Sequence, residues 1–399
     1  MRKKTLRDVD LKGRKVLMRV DFNVPLSKEG NITDDTRVRA SLPSIDYIAA
    51  RGGSCVLMSH LGRPKGKKDK TYTLRPVADC LGDLVKHPVR FVEDCVGPDV
   101  EKAVAALRPG EILLLENVRF YAEEEADDPD FAKRLSKWGD LYANDAFGTA
   151  HRAHASTAGV TRYFADKVAG FLMEKEIEAL EGLLMNPARP FVAVMGGAKV
   201  SGKLELIKNL LGRVDRVLIG GGMAFTFFKA AGLEIGKSIV DKDLVPLCRE
   251  LMNDAAAGNG KRIFLPVDCL VAKEIGASAE SKLVSTGDIP EDWAGVDIGD
   301  KTVDLFREEL VKAKTVFWNG PMGVFEIPDF SKGTKRVAKI MAEVTDKGTK
   351  TVIGGGDSVA ALNQLGLAGR ITHVSTGGGA SLELLEGKKL PGVEALSDK

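Results

Sequence analysis

The most informative stretch of this chain is FVAVMGGAKVSGKL, Phe191–Leu204. An apolar run, Phe191–Met195, gives way to two glycines, a pattern that predicts a buried strand followed by a turn. A helix that begins after such a turn directs backbone N–H groups and the positive end of its dipole at an anion. Lys199 and Lys203 are four residues apart, so on that helix they would share one face and bind one polyanion.

The same residues have two other interpretations. A surface helix with two solvated lysines has the same spacing. The segment Gly197–Lys203 also matches the G-x-x-x-x-G-K of a Walker loop, but that loop needs a Ser or Thr next for magnesium, and Leu204 follows here. The sequence therefore favours an anion-binding turn of another kind.

Length and composition limit the class of protein. A chain of 399 residues is too long for one ordinary core, so we expect two domains. A net charge of +2 argues against a general binder of nucleic acid or membrane surfaces. The five cysteines are scattered and odd in number, which is typical of reduced thiols in a cytoplasmic protein. The start of the chain lacks the apolar core of a signal peptide, and no apolar run reaches the roughly 20 residues that cross a membrane.

Short apolar runs in the first half of the chain are each followed by polar or basic residues. The runs are Lys15–Val20, Cys55–Met58, Phe91-Val92, Ile112–Leu115 and Leu141–Ala143. Helix-like stretches such as Thr36–Ala50 and Leu74–Leu84 lie between them, and this alternation predicts a parallel sheet with crossover helices. In such a sheet, ligands bind at the carboxyl ends of the strands.

The residues at those predicted strand ends suit a small polyanion. They are Asp21, Asn23, His60, Arg63, Arg119 and Arg152, with Arg37 at the start of the first helix. Arg binds phosphate or carboxylate through two parallel hydrogen bonds, so several guanidinium groups at one edge predict a polyanionic ligand. Taken singly, His60 also fits a buried histidine under a turn, and Asp21 fits the cap of a turn. We interpret His151 and His154 as structural, and the acidic segment Glu123–Asp130 as a solvated loop and helix start.

A second series of apolar runs fills the other half. The runs are Phe191–Met195, Arg216–Ile219, Ile263–Val267, Thr315–Trp318, Thr351–Ile353 and His373–Thr376. Several end in glycines, which let the backbone approach a phosphate, and helices that start after Gly356 and Gly379 would direct N–H groups at it. Asp357 is the expected magnesium partner, although it would serve equally as a helix cap.

Between the halves, Phe171–Asn186 has apolar residues at helical spacing and stops before Pro187. We interpret it as a helix that joins two domains; a dimerising coiled coil is the competing interpretation, but one short helix is too little for it. The sequence thus predicts an α/β protein of two doubly wound, Rossmann-like parallel sheets, with a cleft between them. The predicted domains are residues 1–170 and 187–389, with 171–186 as the hinge.

Four motifs of the first half resemble the phosphoglycerate kinase family: VDFNVP at Val20–Pro25, SHLGRP at Ser59–Pro64, LLENVRF at Leu114–Phe120 and NDAFGTAHRAH at Asn144–His154. The resemblance implies that this half binds 3-phosphoglycerate or 1,3-bisphosphoglycerate. The residues it assigns to that contact are Asp21, Phe22, Asn23, Arg37, His60, Leu61, Gly62, Arg63, Arg119 and Arg152.

In the second half, GGAKVSGK, WNGPMGVFE at Trp318–Glu326, GGGDS and STGGGASLE at Ser375–Glu383 extend the resemblance over essentially the whole chain. It implies that MgATP or MgADP binds here. The nucleotide residues it assigns are Lys203, Gly220, Gly295, Asn319, Glu326, Gly355, Gly356, Asp357 and Ser358, with Asp357 also on magnesium. Glu326 would contact the ribose, and Gly220 and Gly295 the adenine. The family pattern more often has Thr at position 358, and the hydroxyl is kept. The family also implies a monomer whose residues 390–399 fold back onto the first half.

The expected reaction is phosphoryl transfer between the 1-carboxyl of 3-phosphoglycerate and the terminal phosphate of the nucleotide. The acceptor carboxylate is already ionised at neutral pH, so no general base is needed. In-line positioning and neutralisation of charge are what remain, with Arg37, Lys199 and the helix-start N–H groups at Gly356 and Gly379 as the catalytic groups. Closure about Phe171–Asn186 would bring the substrates together and exclude water.

Three other functions share part of this evidence. A P-loop NTPase needs a hydroxyl after Lys203, where Leu204 stands. A dinucleotide dehydrogenase needs G-x-G-x-x-G between a strand and a helix, which the sequence lacks. A sensor of phosphorylated metabolites would bind the same ligands but form no product, so an assay of turnover distinguishes it.

Overall fold

The computed structural model of the chain describes residues 2–256 and 262–399. The chain divides into two compact units, residues 1–178 with 389–399 and residues 179–388. The boundary falls inside one helix. The predicted limits of 1–170 and 187–389, and the role of 171–186 as a hinge, stay predictions.

The first unit is built on one parallel sheet. Its strands are β1 Lys15–Val20, β2 Ser54–Met58, β3 Val89–Val92, β4 Ile112–Leu115, β5 Leu141–Asp145 and β6 Lys167–Ala169. Its first helices are α1 Thr36–Ala50, α2 Arg75–Leu84, α3 Pro98–Ala105, α4 Ala122–Glu125 and α5 Pro129–Ser136. The strand order is β3-β4-β2-β1-β5-β6, and all neighbours are parallel. The central strands are buried on both faces, which is why they read as continuous apolar runs.

The second unit contains a parallel sheet and a small antiparallel one. The strands are β7 Phe191–Met195, β8 Arg216–Ile219, β9 Ile263–Phe264, β10 Asp268–Ala272, β11 Ser281–Ser285, β12 Ala294–Ile298, β13 Thr315–Asn319, β14 Lys350–Gly354 and β15 His373–Val374. The parallel sheet has the order β15-β14-β13-β7-β8-β9, and the antiparallel one β11-β10-β12. The prediction of an α/β protein with two parallel sheets is confirmed.

The remaining α-helices begin with the one in which the boundary between the two units falls. They are α6 Phe171–Met185, α7 Leu204–Leu211, α8 Ala224–Ala230, α9 Val245–Ala256, α10 Asp300–Leu310, α11 Lys332–Asp346, α12 Gly356–Gln364, α13 Gly378–Leu385 and α14 Pro391–Glu394. Within the part of the chain that the structure describes, no helix is long and apolar enough to span a bilayer.

The antiparallel sheet was not anticipated, and the predicted strand Ile263–Val267 is wrong in its extent. β9 ends at Phe264, and β10 begins at Asp268. Pro266 lies between them, and because proline has no N–H it cannot continue the ladder. The chain therefore leaves one sheet and enters another within a single apolar run.

The last residues of the chain belong to the first unit. The Gly392 N–H donates to the Ala150 carbonyl at 2.8 Å, and Asn144 Nδ2 donates to the Gly392 carbonyl at 3.1 Å. The Lys4 N–H donates to the Ser397 carbonyl at 2.8 Å. The hydrogen bonds of Gly392, in α14, thereby hold the loop that follows β5 in place.

Helix α6 begins on a buried carboxylate. Asp145, at the end of β5, accepts hydrogen bonds on Oδ1 from the N–H groups of Leu172 at 2.9 Å and Met173 at 3.2 Å. These are N–H groups of the first turn, which have no partner inside a helix. The predicted helix 171–186 is present and ends one residue earlier, at Met185.

Candidate functional site

Arg37 and Asp21 are joined where β1 ends and α1 begins. Arg37 Nη1 lies 2.8 Å from Asp21 Oδ2, and Asp21 is buried. The N–H of Asn23 lies 3.4 Å from Asp21 Oδ1. A turn cap explains the longer of these two contacts, the one with the Asn23 N–H. It does not explain the ion pair with Arg37.

Gly62 links the loop after β2 to its neighbours. Its N–H donates to Asn23 Oδ1 at 2.8 Å, and its carbonyl accepts from Arg119 Nη1 at 3.0 Å. The φ angle of Gly62 is +62°, and a Cβ there would lie 2.3 Å from the ring of Tyr72. Only glycine fits, so this loop holds Asn23 and Arg119 at fixed positions.

His60 is buried against an arginine that the sequence analysis did not single out. Arg19, in β1, is fully buried, and its Nη2 lies 3.1 Å from His60 Nδ1. Burial, and then the charges of Arg19, Arg119 and Arg37, lower the pKa of His60 well below its ordinary value. An arginine inside an otherwise apolar strand was the available signal, since a buried guanidinium needs partners.

Glu124 corrects the interpretation of the acidic segment as solvated. It is fully buried in α4, and its Oε1 accepts from Ser156 Oγ at 2.5 Å. Its Oε2 accepts from the Ser156 N–H at 2.9 Å. Burial raises the pKa of Glu124, while Arg19 opposes that rise. A continuous run of acidic residues does not reveal which of its three consecutive glutamates points inward.

Arg119 and Arg152 complete a cluster of cations. Arg119 is buried, pairs with Glu125 (Nε to Oε1, 3.2 Å), and its pKa is lowered by burial and by the charges of Arg19 and Arg152. Arg152 Nε lies 3.2 Å from His151 Nε2. Burial, then Arg119 and Arg19, lower the pKa of His154 to about 4. The charges of Arg19, Arg119 and Arg152 affect the pKa of their neighbours, so these side chains lie at one site.

The three other predicted substrate residues, Phe22, Leu61 and Arg63, differ in how exposed they are. Phe22 is fully buried in the core, and its N–H donates to Ser59 Oγ at 2.9 Å. Leu61 is also buried, and its carbonyl accepts from Asn117 Nδ2 at 2.8 Å. Arg63 is exposed.

The second unit contains a cavity of about 370 Å³ with a mainly apolar lining. Gly295, Glu326 and Asp357 line it, with Phe225 and Met322 among the apolar side chains. This size and lining suit a flat aromatic group with a few polar contacts. The predicted residue Gly220 is buried beside the cavity, where a Cβ would lie 2.6 Å from Met322 Sδ.

Asp297 is a cavity residue that the sequence analysis missed. It is buried, its Oδ2 accepts from the Gly333 N–H at 2.7 Å, and its Oδ1 from the Ile298 N–H at 2.9 Å. Burial raises its pKa to about 7. In the sequence, Asp297 has no local pattern that distinguishes it from an ordinary strand residue.

Lys203 and Lys199 do not share a helix face, so that prediction is wrong. Helix α7 begins at Leu204, Lys203 is its N-cap residue, and Lys199 lies in the preceding turn. Lys199 is exposed, whereas Lys203 Nζ donates to the carbonyls of Gly196 at 2.6 Å and Asn319 at 3.3 Å. Burial lowers the pKa of Lys203 to about 8. The turn after β7 is thus longer than expected, and its Gly196 carbonyl accepts a hydrogen bond from this ammonium group.

The loop after β13 meets the start of α12. Ser358 is fully buried, and its Oγ accepts from the Gly320 N–H at 2.6 Å. Asn319 is buried, and its Nδ2 is without a hydrogen-bond partner in the described part of the chain. Gly355, with φ of +91°, lies so close that a Cβ would be 2.7 Å from that Nδ2. An unsatisfied buried amide at a helix start is suited to an anionic ligand.

The helices α12 and α13 were predicted to start after Gly356 and Gly379, and both begin slightly earlier. Gly355 is the N-cap residue of α12, which begins at Gly356, and α13 begins at Gly378, just before Gly379. Asp357 is therefore inside the first turn and not the cap, so the alternative interpretation as an N-cap is wrong. Its exposed carboxylate lies at the edge of the cavity.

The residues present fit a magnesium ion that is held mainly by a nucleotide. Asp357 offers one exposed carboxylate, and within residues 2–256 and 262–399 no group of three or more His, Cys, Asp or Glu residues is arranged to hold a metal. Mg²⁺ is usually bound by one or two carboxylates together with substrate phosphates, and this donor set matches that pattern.

Comparison with known proteins decides the family. Residues 6–388 match the family model described as phosphoglycerate kinase. The chain belongs to the phosphoglycerate kinase family. The phosphoglycerate kinase of Dictyoglomus turgidum is 56% identical over 402 residues and that of Chloroherpeton thalassium 54% over 398, each match covering 100% of both chains.

Solved structures of phosphoglycerate kinases agree in fold. The one from Coxiella burnetii superposes with a TM-score of 0.87 at 38% identity, covering 98% of each chain. The one from Pyrococcus horikoshii gives 0.84 at 35% identity, also over 98% of each. The predictions that the chain is a phosphoglycerate kinase, an ATP-binding kinase of glycolysis and gluconeogenesis, are confirmed. The family generally uses a magnesium nucleotide, and the P-loop and dehydrogenase interpretations are set aside.

Proposed function

We propose that the first unit binds 3-phosphoglycerate or 1,3-bisphosphoglycerate through its cationic cluster. The observation that carries this assignment is the convergence of polar groups on one loop: Arg19 Nη2 lies 3.1 Å from His60 Nδ1, and Arg119 Nη1 donates at 3.0 Å to the carbonyl of Gly62, whose N–H donates to Asn23 Oδ1. The guanidinium groups of Arg19, Arg37, Arg119 and Arg152 outnumber the carboxylates beside them, which are those of Asp21, Glu124 and Glu125, so the cluster keeps a positive charge that a polyanion would neutralise. The proposed contacts are the residues at Asp21, Phe22, Asn23, Arg37, His60, Leu61, Gly62, Arg63, Arg119 and Arg152.

The second unit binds the nucleotide in the 370 Å³ cavity. Gly295 lines this cavity and Gly220 lies beside it, and both contact the adenine. A Cβ at Gly295 would lie 1.9 Å from the Phe225 ring, so glycine is needed there to keep that ring of the cavity wall in place. Glu326 contacts the ribose hydroxyls. The phosphates lie against the residues that surround the start of α12: Lys203, Asn319, Gly355, Gly356, Asp357 and Ser358.

Magnesium, when bound with the nucleotide, neutralises phosphate charge, and Asp357 is the residue that would hold it. The remaining chemistry falls to the chain's own groups. Arg37 orients the acceptor carboxylate, since Asp21 fixes one edge of its guanidinium and leaves the other edge available. Lys199 is exposed in a glycine-rich turn, where it is able to follow the phosphoryl group.

Phosphoryl transfer then proceeds in line. An oxygen of the 1-carboxylate of 3-phosphoglycerate forms a bond to the γ-phosphorus of ATP as the bond to the β–γ bridging oxygen breaks, and ADP leaves with that electron pair. Charge on the moving group is stabilised by Arg37, Lys199 and the N–H groups of Gly356 and Gly379. The two units approach each other about α6 during this step, and water is excluded. The enzyme acts as a cytoplasmic monomer.

An ATP-dependent coupled assay with 3-phosphoglycerate tests this proposal. We expect turnover by the purified chain, and loss of about 3 kcal/mol of transition-state stabilisation in Lys199→Ala, as for removal of one charge-stabilising donor. Lys208→Ala is the matched control, because Lys208 is also near the start of the second unit but pairs with Glu205 at 3.1 Å. Binding of both ligands without product would identify a metabolite sensor, and normal turnover of Lys199→Ala would remove that lysine from the mechanism.

A further inference from the structure

Behind the cationic cluster, a chain of hydrogen bonds runs from Glu124 to His60. Ser156 Oγ donates to Glu124 Oε1 at 2.5 Å, and Arg19 Nε donates to the same Oγ at 2.8 Å. Arg19 Nη2 lies 3.1 Å from His60 Nδ1. Glu124, Ser156 and Arg19 are each 0% exposed, and His60 is 4% exposed, so no solvent competes for these contacts.

The direction of every bond in this chain is fixed by chemistry. A guanidinium carries only donors, so His60 Nδ1 must accept and is unprotonated. The proton of the ring is therefore on Nε2. A carboxylate carries only acceptors, so the Ser156 hydroxyl hydrogen points at Glu124 and its lone pair faces Arg19.

Glu124 is the counter-charge that makes this arrangement stable. A fully buried guanidinium is costly without an opposite charge, and Arg19 has Glu124 one hydroxyl away. The Ser156 N–H donates to Glu124 Oε2 at 2.9 Å, which fixes the plane of the carboxylate. The Nε edge of Arg19 is thus held, and its Nη2 edge is aimed at His60.

We propose that Glu124, Ser156 and Arg19 are positioning residues that hold His60 as the neutral tautomer protonated on Nε2. His60 then offers the three-carbon acid substrate one directed hydrogen bond and no added charge. The inference rests on the proposed substrate site of the first unit. The charged and titratable groups that face the ring are Arg19, Arg119, Arg37 and His154. Burial first, and then these groups, lower the pKa of His60, which keeps the ring neutral.

Nitrogen-15 NMR of the histidine rings tests the tautomer directly. Long-range proton–nitrogen correlation distinguishes an Nε2–H ring from an Nδ1–H ring and from imidazolium, and His60→Gln identifies the His60 signal by its loss. We expect one Nε2–H pattern for His60 from about pH 6 to pH 8. An imidazolium or an Nδ1–H pattern in that range overturns the inference.

Ser156→Ala tests whether the chain of bonds is responsible. We expect a mixed tautomer signal or a raised pKa for His60, and a KM for 3-phosphoglycerate about tenfold higher, the effect of one lost hydrogen bond to a charged group. KM for ATP and kcat should change little. Ser156→Thr keeps the hydroxyl and should restore both the signal and the KM. A Ser156→Ala enzyme with the wild-type His60 signal and wild-type KM contradicts the proposal.

Ser136→Ala is the matched control, since Ser136 Oγ donates locally within α5, to the Lys133 carbonyl at 2.9 Å. Thermal melting of each variant separates misfolding from a local effect. If Ser156→Ala does not fold, Glu124→Gln provides the second test with the same two measurements. Failure of the proposed function gives a different result, a wild-type chain that does not turn over 3-phosphoglycerate, whatever tautomer His60 adopts.

Discussion

Arg37 Nη1 donates to Asp21 Oδ2 at 2.8 Å, while 38% of the Arg37 side chain remains exposed. Such a half-exposed ion pair contributes little to stability, on the order of 0–1 kcal/mol. Its effect is to orient the guanidinium at the end of β1, with the remaining N–H groups available to a ligand. The pair is therefore better explained by binding than by folding.

Removal of Arg37 should accordingly affect catalysis and leave stability nearly unchanged. We expect Arg37→Ala to lower kcat/KM by about a hundredfold or more, the usual effect of losing one donor to developing charge. Arg39→Ala is the control, because Arg39 lies two residues along α1 and pairs with Asp35 at 2.9 Å. Steady-state assays and thermal melts measure both variants. Equal losses in the two would indicate a fault in α1 and not in the site.

Lys203 should take up protons when the nucleotide binds. Its pKa is lowered to about 8 by burial, so at pH 8 about half of the free protein has a neutral Lys203, and a bound phosphate favours the charged form. Calorimetry of MgADP binding at pH 8, in two buffers of different ionisation heat, should show uptake of about half a proton. The uptake should vanish at pH 6.5, where Lys203 is already charged, and in Lys203→Arg. Equal heats in both buffers at pH 8 would contradict this assignment.

Gly295 should be required for the cavity of the second unit. A Cβ at this position would lie 1.9 Å from Phe225 Cζ, so Gly295→Ala pushes the ring or closes the cavity. We expect nucleotide affinity to fall by about tenfold or more, as for a lost pocket contact of about 1–3 kcal/mol. Gly276→Ala is the control, because a Cβ there meets nothing within 4 Å. Unchanged nucleotide affinity in Gly295→Ala would place the adenine elsewhere.

Asp145 should make the first unit less stable as the pH rises. Burial raises its pKa to about 7 in the folded chain from 3.8, whereas hydrogen bonds with the Ser44 side chain and with the N–H groups of Met173 and Leu172 oppose the rise. Between these two values the unfolded chain loses the proton first. The stability contributed by protonated Asp145 is therefore fully present below about pH 4 and is lost by about pH 7, by up to about 4 kcal/mol.

Asp145→Asn removes this titration and keeps the acceptor oxygen for α6. Relative to wild type, the urea midpoint of the variant should be higher at pH 8 than at pH 5. Asp130→Asn, an exposed carboxylate of the same unit, is the control and should show no such crossover. A difference between wild type and Asp145→Asn that does not vary with pH would show that Asp145 is ionised throughout.

How much of the fold and of the site could be predicted from the sequence depends on how far apart along the chain the interacting residues lie. The apolar runs Lys15–Val20 and Phe191–Met195 are strands at the predicted positions. A strand that is buried on both faces has a continuous apolar sequence, and this local pattern can be recognised without the structure. The antiparallel sheet was missed because Pro266 interrupts a run that looks like one strand. Lys199 and Lys203 were placed on one helix because spacing alone does not show where a turn ends.

The family, the two parallel sheets and the polar residues at the strand ends could be predicted from the sequence, since strands, turns and motifs are patterns of residues close together along the chain. Which charged groups come into contact depends on the folded chain. Arg19 and Ser156 are 137 positions apart, and Glu124 lies 32 positions before Ser156, yet they form one buried chain of hydrogen bonds. Their contact exists because β1 lies beside β5 in the sheet, and the energetic need of a buried charge for a partner does not say where along the chain that partner will be.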